Sequence, residues 1–215
     1  MGQNWERSDS LFNLFINESK KFNTPVYTTL GNHDIFGLYD KTGDAVNHPE
    51  FGKSMYESRL AERYYSFDFR NWHFIILDSN GIKEDSKYFG YIDSVQAEWM
   101  KKDLKKLEKY TPVVIVSHIP LISVERLVLV GFETGIPNTC LVTNAREIIK
   151  LIQPYNVKMI LQGHSHFRED ILYNGIHFIS GGAVNGIGWN EELEKGFLKI
   201  NVSGEHFTYE HIYFE

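Results

Sequence analysis

The sequence is poor in cysteine. Cys140 stands alone among 215 residues, so no intrachain disulfide can form and the residue reads as a small buried side chain. Long apolar runs are missing as well: stretches such as residues 113–116 fall far short of the roughly 20 residues that a membrane helix needs. Residues 1–10 are polar and acidic and lack the basic-then-apolar pattern of a signal peptide, so a cytoplasmic setting is the default expectation. A chain without its natural beginning would keep no trace of a lost signal peptide. There is no excess of positive charge either. The 22 basic residues against 28 acidic ones give a net charge of −6, which argues against non-specific nucleic-acid binding. Repeats, low-complexity tracts and linkers are absent, and the economical reading is one domain over residues 1–215.

What is present has the composition of a packed protein. Apolar residues make up 42% and charged residues 23%, with 15 Phe, 12 Tyr and 4 Trp. A chain of this length buries roughly 70% of the surface that its unfolded form exposes.

The apolar pattern alternates between helix and strand. Leu11, Phe12, Leu14, Phe15 and Phe22 follow a Ser/Asp cap at residues 8–10 and predict an amphipathic helix that ends before Pro25. Residues 26–30 read as a buried strand, and residues 64–69 and 72–77 as a hairpin around Arg70-Asn71. Asp78 and Ser79 end that strand as ordinary turn residues. A surface helix over residues 94–110 leads through Pro112 to a strand at 113–117. Residues 119–143 carry no single period and read as a long functional loop facing substrate. Asn144 caps a helix through Gln153, before a strand at 157–161. Strands at 170–173, 176–179, 197–202 and 207–214 follow, with turns at Asn174-Gly175 and Ser203-Gly204. The glycines of Gly181-Gly182-Ala183 and Asn185-Gly186 fit either a tight turn or a close backbone approach. The whole is a mixed α/β pattern.

Three of these strands end in polar clusters: Gly31-Asn32-His33-Asp34, the lone His118, and Gly163-His164-Ser165-His166. Ligands gather at the carboxyl ends of strands in α/β sheets, so clusters far apart in sequence can converge in space. Imidazole nitrogens together with an Asn carbonyl oxygen suit Mn, Fe, Zn or Ni better than Ca. His48, His73, His177, His206 and His211 match no motif and read as structural.

In these motifs the chain resembles the calcineurin-like metallophosphoesterases, whose ordered signature is Asp-x-His, Gly-Asp, Gly-Asn-His-Asp/Glu, a lone His and Gly-His-x-His. The last three stand here in order. The resemblance implies a four-layer α/β/β/α sandwich of mixed sheets and a centre of two divalent transition metals, with Asn32, His118 and His164 on one ion and His166 on the other. It also implies that His33 faces the substrate, where it stabilises phosphoryl charge or protonates the leaving oxygen, and that Asp34 orients it. The two ions would polarise the phosphoryl oxygens and activate a water for in-line attack on a phosphomonoester or phosphodiester, in a small molecule or a phosphoprotein.

Asp-x-His and Gly-Asp, which supply the remaining ligands and the bridging carboxylate, do not occur before Gly31. Gly43-Asp44 is a Gly-Asp pair in the wrong place. The sequence therefore also supports a second reading, an N-terminally incomplete domain that binds at most one ion or serves as an interaction module. Its exposed sheet edge would favour self-association. A mononuclear zinc hydrolase is a third reading, and it leaves His166 without a role.

Overall fold

The computed structural model describes residues 4–40, 42–83, 87–131, 135–185 and 195–214. Helix α1 (Trp5–Ser19) is followed by a 3₁₀ turn at Asn32–Asp34, another at Asp44–Asn47, and helix α2 (Ser54–Arg59). Strands β1 (Tyr65–Phe69), β2 (Trp72–Leu77), β3 (Asn80–Ile82) and β4 (Tyr88–Gly90) precede helix α3 (Ser94–Leu104). Strand β5 (Val113–Ser117) then leads to helices α4 (Glu125–Val130) and α5 (Ala145–Ile152). The chain ends in strands β6 (Val157–Gln162), β7 (Arg168–Tyr173), β8 (Ile176–Gly181), β9 (Gly196–Ser203) and β10 (His206–Tyr213). No described helix is long and apolar enough to cross a membrane.

A six-stranded sheet in the order β1-β2-β5-β6-β8-β7 forms the centre, and the expected mixed α/β class holds. β2, β5, β6 and β8 run parallel, while β1 and β7 are antiparallel at the two edges. The continuous apolar runs of the parallel strands fit burial on both faces. On one face, Ile75, Leu77, Ile115, Ile160 and Phe178 pack with Met100 and Leu104 of α3 and Ile148 and Ile152 of α5. On the other face, Trp72, Val114, Met159 and Ile179 meet Leu198, Ile200, Val202 and Phe207 of the β9–β10 hairpin. A third cluster joins Phe12 of α1 to Leu30, Ile35, Phe36, Met55 and Tyr56.

Several local expectations are met by recognisable chemistry. Asn174 and Gly175 both take positive φ, 50° and 78°, and turn β7 into β8. Asp93 caps α3 by accepting from the Gln96 amide at 2.8 Å.

Other expectations need correction. Residues 26–30 run extended but join no described ladder. Their polar backbone is met by side chains instead: the Tyr65 hydroxyl accepts from Thr28 N and donates to Thr28 O, and Asn80 Nδ2 donates to Leu30 O at 2.9 Å. Helix α1 begins at Trp5 because Asn4 Oδ1, rather than a residue at 8–10, accepts from the Arg7 amide at 3.0 Å. It stops at Ser19, and Phe22 is exposed. Helix α3 stops at Leu104, short of residue 110. Asn144 is the N-cap residue of α5, as expected, but it caps through its backbone carbonyl alone: its carboxamide brackets Ile92, accepting from that residue's N–H at 3.2 Å and donating to its C=O at 2.8 Å. The segment 119–143 contains α4, and its ends are packed down through buried Leu121 and Val142.

Asp78 and Ser79 are more than turn residues. With Asn80 they form a buried polar turn after β2. The Asp78 carboxylate receives Lys53 at 2.5 Å and Arg63 at 3.1 Å, and its backbone exchanges hydrogen bonds with the Gln96 side chain. Ser79 Oγ accepts from Ile119 N at 2.8 Å, and Asn80 reaches Leu30 O. The turn thereby ties the segment before Gly31 to the segment after His118. Replacing Asp78 by Ala leaves two cations facing a buried gap and should cost roughly 3 kcal/mol or more in urea unfolding. Asp78→Asn keeps an acceptor for the Asn80 amide and should cost less. An Asp78→Ala variant within about 1 kcal/mol of wild type, the size of one ordinary hydrogen bond, would refute this role.

Candidate active site

The site is built where the sheet's parallel strands deliver their carboxyl ends. β5 ends at Ser117 and presents His118, while β6 ends at Gln162 and presents Gly163 to His166. The Asn32–Asp34 turn reaches the same place although no strand carries it there. Asn32 Oδ1 lies 2.8 Å from His118 Nε2, across 86 positions of sequence. The His118 and His164 rings meet edge to face with centroids 5.1 Å apart.

Close packing explains the small residues. A Cβ on Gly31 would fall 3.2 Å from both Asp34 Oδ2 and the His118 ring. The Gly163 amide donates to His118 O at 3.0 Å, joining the two strand ends. His164 and His166 both take left-handed φ, 65° and 66°, a conformation that side-chain-bearing residues rarely adopt. Gly182, with φ of 78°, brings its backbone alongside Arg168 and the His166 carbonyl, so it is at once a turn glycine and a point of close approach. Gly186 and Trp189 lie outside the described residues.

The remaining motif residues sit around this contact. The Asp34 carboxylate turns back to accept the Gly31 amide at 2.9 Å, and burial raises its pKa. His33 is exposed and stacks on Tyr39 with centroids 5.1 Å apart. Partial desolvation of its ring by the surrounding chain lowers the pKa of His33, and nearby positive charge, His166 included, lowers it further. Burial above all, with the neighbouring imidazoles, holds His118 at about 3. Burial likewise lowers His164 to about 4. Asp44 is exposed in its own 3₁₀ turn. His73 is buried elsewhere, between Asp68 at 2.7 Å and Asp103 at 2.9 Å, and His177 pairs with Asp170.

As a metal site this arrangement is half furnished. Two imidazoles held neutral and a carboxamide oxygen are the right donors for one transition-metal ion, because a protonated imidazole has no lone pair to give. A two-ion centre asks for more. Among the described residues no group of three or more His, Cys, Asp or Glu side chains is placed to hold a metal.

Sequence reading missed the residues that hold these groups in place. Tyr39 accepts from Asn32 Nδ2 at 2.6 Å. Tyr88 stands edge to face against both Tyr39 and His164. Gln162 accepts from Leu121 N at 2.8 Å and donates to Ile122 O at 2.8 Å, pinning the chain just beyond His118. Only Gln162 left a signal, as a polar residue closing an apolar strand directly before the Gly-His motif.

Comparison with known proteins agrees with this architecture. The chain is 29% identical over 154 residues to a 3′,5′-cyclic-nucleotide phosphodiesterase of Nostoc, covering 71% of this chain and 48% of that protein. It is 27% identical over 174 residues to a 3′,5′-cyclic AMP phosphodiesterase of Haemophilus influenzae, covering 79% and 54%. The chain thus spans about half the length of these curated relatives. In fold it is similar to GAP50, described as the anchor in the inner membrane complex of Plasmodium, with a TM-score of 0.52 and 14% identity, over 91% of this chain and 64% of that one. The sequence model of the calcineurin-like phosphoesterases matches residues 3–168, and the chain belongs to that family.

Proposed function

We propose that this chain is a metal-dependent phosphoesterase domain that hydrolyses phosphate monoesters or diesters, with cyclic nucleotides as the first substrates to try. The 2.8 Å contact of Asn32 Oδ1 with His118 Nε2, with the His164 ring beside it, carries the reading. In it, Asn32, His118 and His164 hold one divalent transition metal, and His166 belongs to a second. Such ions, when bound, supply Lewis-acid polarisation of phosphoryl oxygens and activation of water.

The chain's own residues do the rest. His33 faces solvent at the mouth of the site and meets the phosphoryl group. The phosphoryl group arriving there, singly charged in a diester and up to doubly charged in a monoester, supplies opposite charge and offsets the lowering that desolvation imposes on the imidazole. His33 then donates a hydrogen bond or a proton to the leaving oxygen. Asp34 holds the turn shut through Gly31 N and so fixes where His33 emerges.

One observation favours the second reading, a weak or inactive module that binds at most one ion and associates through a sheet edge. It is the lack, among the described residues, of a His/Cys/Asp/Glu group able to hold a metal. Mass spectrometry after loading with Mn²⁺ or Zn²⁺, together with turnover of bis(4-nitrophenyl) phosphate and 3′,5′-cyclic AMP, separates the two. The expected result is 3′,5′-cyclic AMP turnover that falls on the order of 100-fold or more in His33→Ala, as loss of an acid catalyst predicts for a poor leaving group, with turnover of both substrates falling in His118→Ala. Wild-type activity no greater than that of His118→Ala would overturn the enzymatic reading.

Neutral imidazoles also set an acid limit on stability. His118 and His164 take protons at about 3 and 4 in the folded chain, against 6.5 ordinarily. Between about pH 4 and 6.5 the unfolded state binds more protons, so stability rises with pH across that window and is lost as pH falls. Urea unfolding of the metal-free protein should show a loss of about 1 kcal/mol per pH unit from each group below pH 6. His118→Gln should flatten that dependence, and an unchanged slope in the variant would contradict the assignment.

A further inference from the structure

The contacts around Asn32 close into a ring. Asn32 Nδ2 donates to the Tyr39 hydroxyl at 2.6 Å, and Tyr88 stands edge to face on Tyr39 with its hydroxyl toward the same oxygen. Tyr88 stands edge to face on His164 at 5.9 Å, His164 on His118 at 5.1 Å, and His118 returns to Asn32 Oδ1 at 2.8 Å. Asn32 is buried, so neither end of its carboxamide can exchange its partner for bulk water without cost.

A carboxamide has two chemically opposite ends, and only the oxygen can donate a lone pair to a cation. Rotated by half a turn, Asn32 would aim an N–H₂ group at His118 and would repel an ion. The backbone does not decide between these orientations; the partner at the far end does. We propose that Tyr39 is a positioning residue that sets this orientation. Its oxygen is the acceptor facing both Asn32 Nδ2 and the Tyr88 hydroxyl, so Nδ2 turns toward Tyr39 and Oδ1 is left toward His118. In the metal-free protein His118 then carries its proton on Nε2, which donates to Oδ1.

The consequence for metal binding rests on the phosphoesterase reading above, but the orientation does not. Nitrogen-15 NMR of the metal-free wild-type protein should find His118 as the Nε2–H tautomer. In Tyr39→Phe the ring still stacks on His33, but the acceptor is gone, and the spectrum should shift to a mixture of tautomers. The melting temperature should fall only by about 2–4 °C, the effect of one hydrogen bond in a chain of this size. Zn²⁺ titration followed by calorimetry should give a Kd weakened about tenfold, as for other residues that orient a ligand.

A wild-type tautomer and unchanged Zn²⁺ affinity in Tyr39→Phe would overturn the proposal. If the wild type binds no Zn²⁺, the phosphoesterase reading fails while the tautomer result still judges Tyr39. Should Tyr39→Phe not fold, the wild-type spectrum alone judges the orientation: the Nε2–H tautomer of His118 supports it, and the Nδ1–H tautomer overturns it.

Discussion

The buried Asp78-Ser79-Asn80 turn is the constraint on which the site depends. Motif residues 86 positions apart meet only if the segment before Gly31 and the segment after His118 are fixed to a common support. The turn does this with one backbone-directed hydrogen bond to each: Asn80 to Leu30 O and Ile119 N to Ser79 Oγ. A turn bearing a buried carboxylate would be costly by itself. Lys53 and Arg63 offset the charge, and Gln96 occupies both polar groups of the Asp78 backbone. Because those partners sit at α2, just before β1 and in α3, a defect in the turn propagates to the helices on either side. Its contribution is to position as much as to stabilise.

The opposite side of the site is held differently. There the chain accepts unfavourable backbone at His164 and His166, and it persists because the surroundings over-determine it. Gly163 N donates to His118 O, Gln162 pins residues 121 and 122, and Gly182 fits against the His166 carbonyl. Left-handed φ at two residues out of three makes the chain zigzag beyond the sheet, so that two imidazoles of one short loop present themselves to the same space. An extended continuation of β6 would have kept both side chains on one face but strung them along the strand axis, roughly 7 Å apart and away from the His118 strand end.

Sequence patterning made the parallel strands legible because burial on both faces leaves uninterrupted apolar runs, and the Asn-Gly turn was legible because it needs positive φ at both positions. The clusters at strand ends followed from the same logic. Residues 26–30 were misread as a strand because their composition is that of one; pairing is a property of the neighbour, and the β1 and β2 residues beside them meet them through side chains rather than a ladder. The position of Asn144 as the cap of α5 was legible, but not that its carboxamide brackets Ile92 instead of bonding the first turn, because both uses need the same residue type. Tyr39, in a loop, and Tyr88, at the start of the three-residue strand β4, left no periodic signal, since each acts through one or two directional contacts. Chemistry-bearing residues were readable where their type is rare, and their supports were not, because a Tyr or an Asp in a loop looks the same whether or not it holds anything.

The donor set also says something about the strength of the proposed centre. Asn32, His118 and His164 are all neutral donors in the folded protein. A divalent ion on them would keep nearly its full charge, whereas a bridging carboxylate would cancel part of it. These three residues add no negative charge of their own, so what they contribute to affinity comes from how well they are pre-arranged. Preorganisation is then the lever that these donors offer. That is why a phenolic hydroxyl and a buried turn, neither of which touches an ion, would govern binding more than they could at a carboxylate-rich site. The undiminished charge also makes such an ion a stronger attractor of phosphate, which helps an anionic substrate approach a chain whose own net charge is −6.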